Sequence, residues 1–282
     1  MRNKISIITP CFNAEISIVE TMLSVIKNSG IQSSSIDLQY IICDGGSSDS
    51  TVEVAEKVFS KNKRSNIEHQ VISEPDDGMY DALCKGFERV DGNICAYINA
   101  ADLYSPFAFD VVTDLFNRKE KQPSWLTGRA VIYNWEKQQV FNRLPYKYRS
   151  NLIQCGLYGS VFPHIQQEST FWSSDLLIEL DFEFLKRLKL AGDAYIWSQF
   201  SKLHQLFIVN TWLGGYRHHE GALSSDMTSY RNEVSSFINK PKESDYKQAE
   251  DDKRFWDASD DIKAQNNTKS LYYYNRSKGQ FV

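Results

Sequence analysis

The chain has 282 residues, 41% of them hydrophobic, which suits a globular unit with a real core and excludes a disordered composition. Its 32 basic and 36 acidic residues leave a formal net charge of −4, without the basic excess of a nucleic-acid binder. No run approaches the roughly 18 to 20 apolar residues of a membrane-spanning helix, so any membrane contact is expected to be peripheral.

Residues 4–10 (KISIITP) begin a strand at once, with no apolar leader before it, so a cytoplasmic address is expected. Residues 15–29 carry Ile16, Val19, Leu23 and Ile26 at helical spacing, with Gly30 as the stop. A second strand follows at 38–44, then the turn GGSSDS and a helix over 50–61. A third strand at 67–74, a helix at 78–90, a fourth strand at 93–100 and a helix at 106–118 complete the first half. Strands that alternate with helices predict an α/β fold with a largely parallel sheet covered on both faces. Ligands of such sheets bind beyond the carboxyl ends of the strands. The chemistry is therefore expected at 9–13, 44–49, 74–80 and 99–102, where the unusual residues stand.

After residue 123 the rhythm changes. Residues 125–133 and 138–144 read as a hairpin or two mixed strands, and 166–173 as a strand or loop. Helices are expected near 174–180, 182–190 and 194–204, and a last buried strand at 205–213. From 228 onward the chain reads as a polar helical tail. Of the 24 residues from Lys240 to Lys263, 14 are charged with mixed signs, the mark of a solvated helix face. The simplest division is a domain over 1–227, with halves 1–122 and 123–227, and a tail over 228–282. Tyr272, Tyr273 and Tyr274 with Lys269, Arg276 and Lys278 suit a bilayer interface, and suit a docked terminal segment equally. The five cysteines form no C-x-x-C pair and read as buried reduced thiols.

Three strand ends carry acids. Asp44-Gly45-Gly46-Ser47-Ser48-Asp49 ends a buried strand in a turn whose backbone N–H groups can face an anion. It is also an ordinary capped helix start. Glu74-Pro75-Asp76-Asp77-Gly78-Met79-Tyr80-Asp81 opens a helix on which Asp81 and Lys85 stand one turn apart. Tyr97-Ile98-Asn99-Ala100-Ala101-Asp102 puts a carboxylate where a hard cation on a diphosphate would want oxygen ligands. No G-x-G-x-x-G follows the first strand, which argues against a dinucleotide-binding dehydrogenase.

Together with TPCFN at the first strand end, these segments resemble the inverting family-2 glycosyltransferases of the GT-A fold, over roughly residues 4–225. The likeness is greatest to short bacterial members that build surface polysaccharides. It implies that Thr9, Pro10 and Phe12 line the base pocket and that Asp44 reads the base. Asp76, Asp77, Gly78, Tyr80 and Lys85 would lie near the ribose, phosphates or sugar. Asp102 matches the last acid of the family's Asp-x-Asp metal site for Mn²⁺ or Mg²⁺. Asn99 and Ala101 stand where many members have carboxylates, so Asp102 needs a further ligand, with His218 or His219 as candidates.

In the acceptor half, Asp193 matches the general base, and Glu168 is the fallback base or an acceptor-orienting group. Asp193 also reads as a simple helix cap. Arg217 would neutralise phosphate charge. The expected partners are a nucleotide diphosphate-sugar, UDP favoured, and a glycan or lipid-linked glycan at the inner face of the plasma membrane. A non-catalytic sugar-nucleotide or glycan binder is the alternative.

Overall fold

The computed structural model describes residues 3–218 and 227–282. Strand β1 (Asn3–Cys11) is a near-continuous apolar run and is buried over its last seven residues. Helix α1 (Ile18–Ile26) turns Ile18, Met22, Val25 and Ile26 inward, and the short α2 (Ser29–Gln32) leads into β2 (Ile36–Asp44). Then come α3 (Thr51–Lys61), β3 (Ile67–Ser73), α4 (Met79–Phe87), β4 (Ile94–Tyr97), β5 (Leu103–Tyr104) and α5 (Ala108–Phe116). The alternating elements are the expected ones, with β1 and β2 longer than expected by one or two residues at an end and the others mostly shorter; α2, which runs through Gly30 where a stop was expected, and β5 are additions.

The second half is more broken than its apolar pattern suggests. The stretch 125–133 splits into β6 (Trp125–Thr127) and β7 (Ala130–Tyr133), which enter different sheets; β7 pairs antiparallel with β8 (Gln139–Arg143). Helix α6 (Ser150–Gln154) precedes a 3₁₀ turn (Gln167–Ser169) and β9 (Thr170–Ser173). The helix expected near 174–180 is a 3₁₀ segment (Ser174–Glu179), and the one at 182–190 shrinks to α7 (Phe182–Leu185), which Asp181 caps through Phe184 N–H at 3.0 Å. Helix α8 (Gly192–Phe200), β10 (Leu206–Val209) and β11 (Gly214–Arg217) follow.

Past residue 226 the chain forms α9 (Met227–Ser235), α10 (Glu243–Trp256) and α11 (Asp260–Asn266). It then turns to short strands β12 (Leu271–Tyr272), β13 (Tyr274–Asn275) and β14 (Gln280–Phe281), so its end is not helical. An eight-stranded sheet runs in the order β12-β10-β6-β9-β4-β1-β2-β3. All its pairs are parallel except those of β9 with β4 and with β6. A four-stranded sheet, β5-β11-β7-β8, stands beside it. All five cysteines are buried free thiols. Among the described residues no helix is long and apolar enough to cross a membrane.

The charged run of α10 and α11 is not uniformly solvated. Asp252 is buried and takes a two-pronged bond from Arg149, with Nη2 at 2.8 Å, and buried Lys263 donates to the Leu144 carbonyl at 2.9 Å. Trp256 packs face to face on Phe162 at 5.1 Å and edge-on to Tyr148 at 5.6 Å. Pairing and aromatic burial, rather than the period of the sequence, decide where this segment lies.

Candidate active site

The parallel strands β1, β2 and β4 end on one side, and three loops meet there. Asp44, at the end of β2, accepts from the N–H groups of Gly46 (3.1 Å) and Ser47 (3.0 Å), from the Ser73 hydroxyl (2.7 Å) and from the Ser47 hydroxyl. The carboxylate thus ties the turn to the end of β3. The loop after β1 is locked on the same turn, with Asn13 N–H on Ser47 Oγ at 2.7 Å and Ser48 N–H on Asn13 Oδ1 at 3.0 Å. Phe12 is 64% exposed on this rim. Thr9 does not line a pocket: it is fully buried, and its hydroxyl bonds Tyr40 Oη at 3.1 Å inside the core. Pro10 is also buried, as part of β1.

Asp76 lies against the backbone of Gly45, where a Cβ would come within 2.6 Å of its carboxylate. Burial pushes its carboxyl upward despite the bond from Gly78 N–H at 2.8 Å. Asp77 is exposed, its N–H on Asp81 at 3.1 Å and its carbonyl bonded by Lys189. Gly78 has φ +125°, a conformation L side chains rarely adopt. Lys85 reaches Glu74 at 3.2 Å and the Pro75 carbonyl at 3.1 Å; against the cost of burial, Glu74 and Asp81 hold its ammonium above its usual range.

Tyr80 joins the 74–85 segment to Asp193. Its buried hydroxyl donates to the Leu190 carbonyl at 3.2 Å and accepts Asp193 N–H at 3.2 Å. The ring presses so closely on Gly192 that any side chain there would collide with it. Asp193 therefore sits in the first turn of α8 on a mount fixed by α4. It is partly buried, and desolvation raises its carboxyl to about 6, against the opposing bonds from Ala194 N–H (2.7 Å) and its own N–H.

Asp102 and Glu168 come together although 66 residues separate them. Asp102 is 2% exposed and accepts Arg217 N–H at 2.8 Å. Glu168 is buried beside it, and burial together with the Asp102 charge holds its carboxyl well above the usual range. Asn99 closes the same corner with a buried Oδ1 that has no partner among the described residues.

Arg217 is 1% exposed. It ion-pairs with Glu20 and lies over the Trp135 ring at 4.6 Å, while its Nε and Nη2 have no partner among the described residues. Glu20 also binds Lys137 at 2.6 Å. Although burial raises its carboxyl, the bonds from Lys137 and Arg217 bring it below the ordinary value. His218 is exposed, its ring 6.3 Å from that of Tyr216, and strand alternation puts these two on the face opposite Arg217. His219 lies outside the described residues. Among the described residues no group of three His, Cys, Asp or Glu side chains is placed to hold a metal. Asp102 with Glu168 is a two-carboxylate corner that a dication on a diphosphate would suit, the remaining ligands coming from the phosphates.

Sequence reasoning missed Glu20 and Glu233. Glu20 looks like one more surface acid of α1, and its pairing with Arg217 spans 197 positions, beyond any local period. Glu233 accepts three backbone N–H groups, from Lys189 (2.7 Å), Leu190 (2.8 Å) and Ala191 (2.8 Å), directly ahead of Asp193.

The family model for glycosyl transferase family 2 matches residues 6–166. The chain belongs to that family, and its sheet is that of the GT-A fold. A PGL/p-HBAD biosynthesis glycosyltransferase of Mycobacterium bovis is 26% identical over 169 residues, 56% of this chain and 62% of that protein. An undecaprenyl-phosphate 4-deoxy-4-formamido-L-arabinose transferase of Proteus mirabilis is 27% identical over 140 residues, 45% of this chain and 41% of that one. The chain thus spans less than two thirds of the length of either relative. Among solved structures, S. aureus TarS 1-349 in complex with UDP superposes with a TM-score of 0.60 at 13% identity, over 94% of this chain and 75% of that one. Glucosyl-3-phosphoglycerate synthase from Mycobacterium tuberculosis, in complex with Mn²⁺, UDP-glucose and phosphoglyceric acid, gives 0.55 at 17% identity, over 86% and 82%. At these identities the likeness is one of fold.

Proposed function

We propose that the protein transfers a sugar, with inversion, from a UDP-sugar to a hydroxyl of a glycan or lipid-linked glycan. The observation that carries this reading is the Tyr80–Asp193 link. It seats a carboxylate of raised pKa on a rigid helix start, directly against the motif that faces the donor. Asp193 takes the acceptor proton as the acceptor oxygen bonds to the anomeric carbon. The bond from that carbon to the diphosphate oxygen breaks on the opposite face, and the electron pair leaves with the nucleotide. Arg217 bonds Asp102 through its backbone N–H, and its guanidinium, whose Nε and Nη2 have no hydrogen-bond partner among the described residues, would suit negative charge gathering nearby. Asp102 and Glu168 would hold Mn²⁺ or Mg²⁺, which supplies charge compensation to a leaving diphosphate when bound. The UDP and UDP-sugar complexes of the fold neighbours favour uridine donors. The relative named for an undecaprenyl-phosphate sugar favours a lipid-linked acceptor, met by a cytoplasmic enzyme at the inner membrane face. Domain limits of 1–227 and 228–282 are part of the same proposal.

The test joins binding to turnover. UDP with Mn²⁺ should raise the unfolding temperature by several degrees, as a ligand specific to the folded state does. Asp193→Asn should keep that shift and lose transfer. Wild-type protein that binds UDP yet never releases it from any UDP-sugar, with acceptor or water, would favour the non-catalytic binder instead.

A further inference from the structure

The three consecutive tyrosines of the C-terminal segment part company in the fold. Tyr272 is 1% exposed and docks: its ring lies under Lys121 Nζ at 4.6 Å, and Lys121 in turn donates to the Leu271 carbonyl at 3.3 Å. Tyr273 and Tyr274 are 45% and 54% exposed. They open the ribbon of β13 and β14, whose base is closed by two backbone bonds between Tyr273 and Val282, at 3.1 and 3.0 Å. Strand alternation sends the two rings to opposite faces, so the body leaves both faces of the ribbon partly open. Asn275 Oδ1 takes the N–H groups of Ser277 (3.0 Å) and Lys278 (3.1 Å) and shapes the turn on which Arg276 and Lys278 stand exposed. Lys269 is exposed just ahead of β12. None of these three cations makes an ion pair among the described residues. From Thr268 to Val282 the sequence holds no acid, while the whole chain carries −4.

Topology fixes where this ribbon emerges. Strand β12 is parallel to β10, and β10 to β6; β6 and β4 are both antiparallel to β9, and β4 is parallel to β1. Thus β12 points the same way as β1 and β4, and the ribbon leaves the sheet at the edge where the Asp44 and Asp102 loops stand. Four strand spacings, about 19 Å, separate β12 from β4. A tyrosine has an apolar ring and a polar tip, which suits the boundary between headgroups and acyl chains, and unpaired cations suit acidic headgroups. A polynucleotide would need a longer charged groove to follow. We propose that the 268–282 ribbon seats the protein on an anionic lipid bilayer, with Tyr273 and Tyr274 in the interface and Lys269, Arg276 and Lys278 on the headgroups. The edge that carries the site then borders the membrane surface. This deepens the reading above, on which it rests for the lipid-linked acceptor, by naming the surface that meets the bilayer.

The experiment is co-sedimentation of the full chain with vesicles of phosphatidylcholine alone, or of phosphatidylcholine and phosphatidylglycerol in equal parts. Wild type should pellet with the mixed vesicles and stay in solution with the neutral ones. Arg276→Gln with Lys278→Gln should weaken the binding roughly thirtyfold. Tyr273→Ser with Tyr274→Ser should weaken it about tenfold. Lys61→Gln with Lys63→Gln, which removes two exposed cations at the end of α3, should change nothing. All three variants should keep the wild-type unfolding temperature, since the altered side chains are exposed. Absence of binding to the mixed vesicles, equal binding to the neutral ones, or an equal loss in the Lys61 and Lys63 variant overturns the proposal. So does full binding by the tyrosine variant, because cations alone would suit any polyanion. Vesicle binding through the ribbon with no transfer from UDP-glucose or UDP-N-acetylglucosamine keeps the surface and sinks the transferase reading. Transfer by a protein that ignores vesicles does the reverse.

Discussion

As the proposed base, Asp193 has to satisfy two conditions at once: close enough packing to be aimed, and enough contact with solvent to lose its proton. Its carboxyl at about 6 lies above the ordinary 3.8, so the folded protein binds this proton more tightly than the unfolded chain. Two consequences of opposite sign follow. Activity needs the ionised form, so kcat/KM should climb with pH to about 6 and level off above it, as a rate profile at saturating Mn²⁺ will test. Stability from this residue runs the other way: it falls as pH rises from about 4 to about 6 and stays low beyond. Asp193→Asn should therefore lower turnover by a factor of roughly 10² to 10⁴ while raising the unfolding temperature at pH 7.5. A variant that loses activity and also melts earlier would instead mark Asp193 as a structural cap. The residue types of the site were legible in the sequence because acids at the ends of apolar strands are conspicuous. Their partners were not. Nothing near Asp102 in the chain announces Glu168, and nothing near Asp193 announces Glu233.

Helix α4 and helix α8 meet through a tyrosine ring and a glycine, and this contact sets how the two halves of the site face each other. Gly192→Ala puts a methyl group into the Tyr80 ring, so one helix has to shift. Overpacking of this kind typically costs about 1 to 3 kcal/mol. We expect a lower melting temperature and, on the proposed reading, a larger drop in kcat than in donor affinity, since the turn around Asp44 is held by its own hydrogen bonds. Equal loss of UDP affinity would show that the two sides are not separable. Element existence was well predicted for the first half, where strands and helices are long and periodic. It failed in part between 174 and 190, where 3₁₀ geometry replaces one helix and the other ends at Leu185. It also failed to separate β6 from β7, because an apolar run does not disclose that its two ends join different sheets.

Over the whole molecule, the C-terminal segment is stitched to the body through Arg149–Asp252, the Trp256 aromatic cluster and β12 on the edge of the main sheet. Trp256→Ala should cost about 3 to 5 kcal/mol, measurable by urea unfolding in one transition shared by near- and far-ultraviolet circular dichroism. Two separate transitions would make the segment an independent unit. Composition shows this segment as a charged run, and only the packed chain tells which two of those charges turn inward. The placement of Glu233 has a further effect on order in time. A ribosome finishes β1 to α4, with the Asp44 turn, long before it reaches position 233. The loops at 9–13, 44–49 and 74–80 are thus synthesised early, while the segment that carries Asp193 waits for its anchor, Glu233.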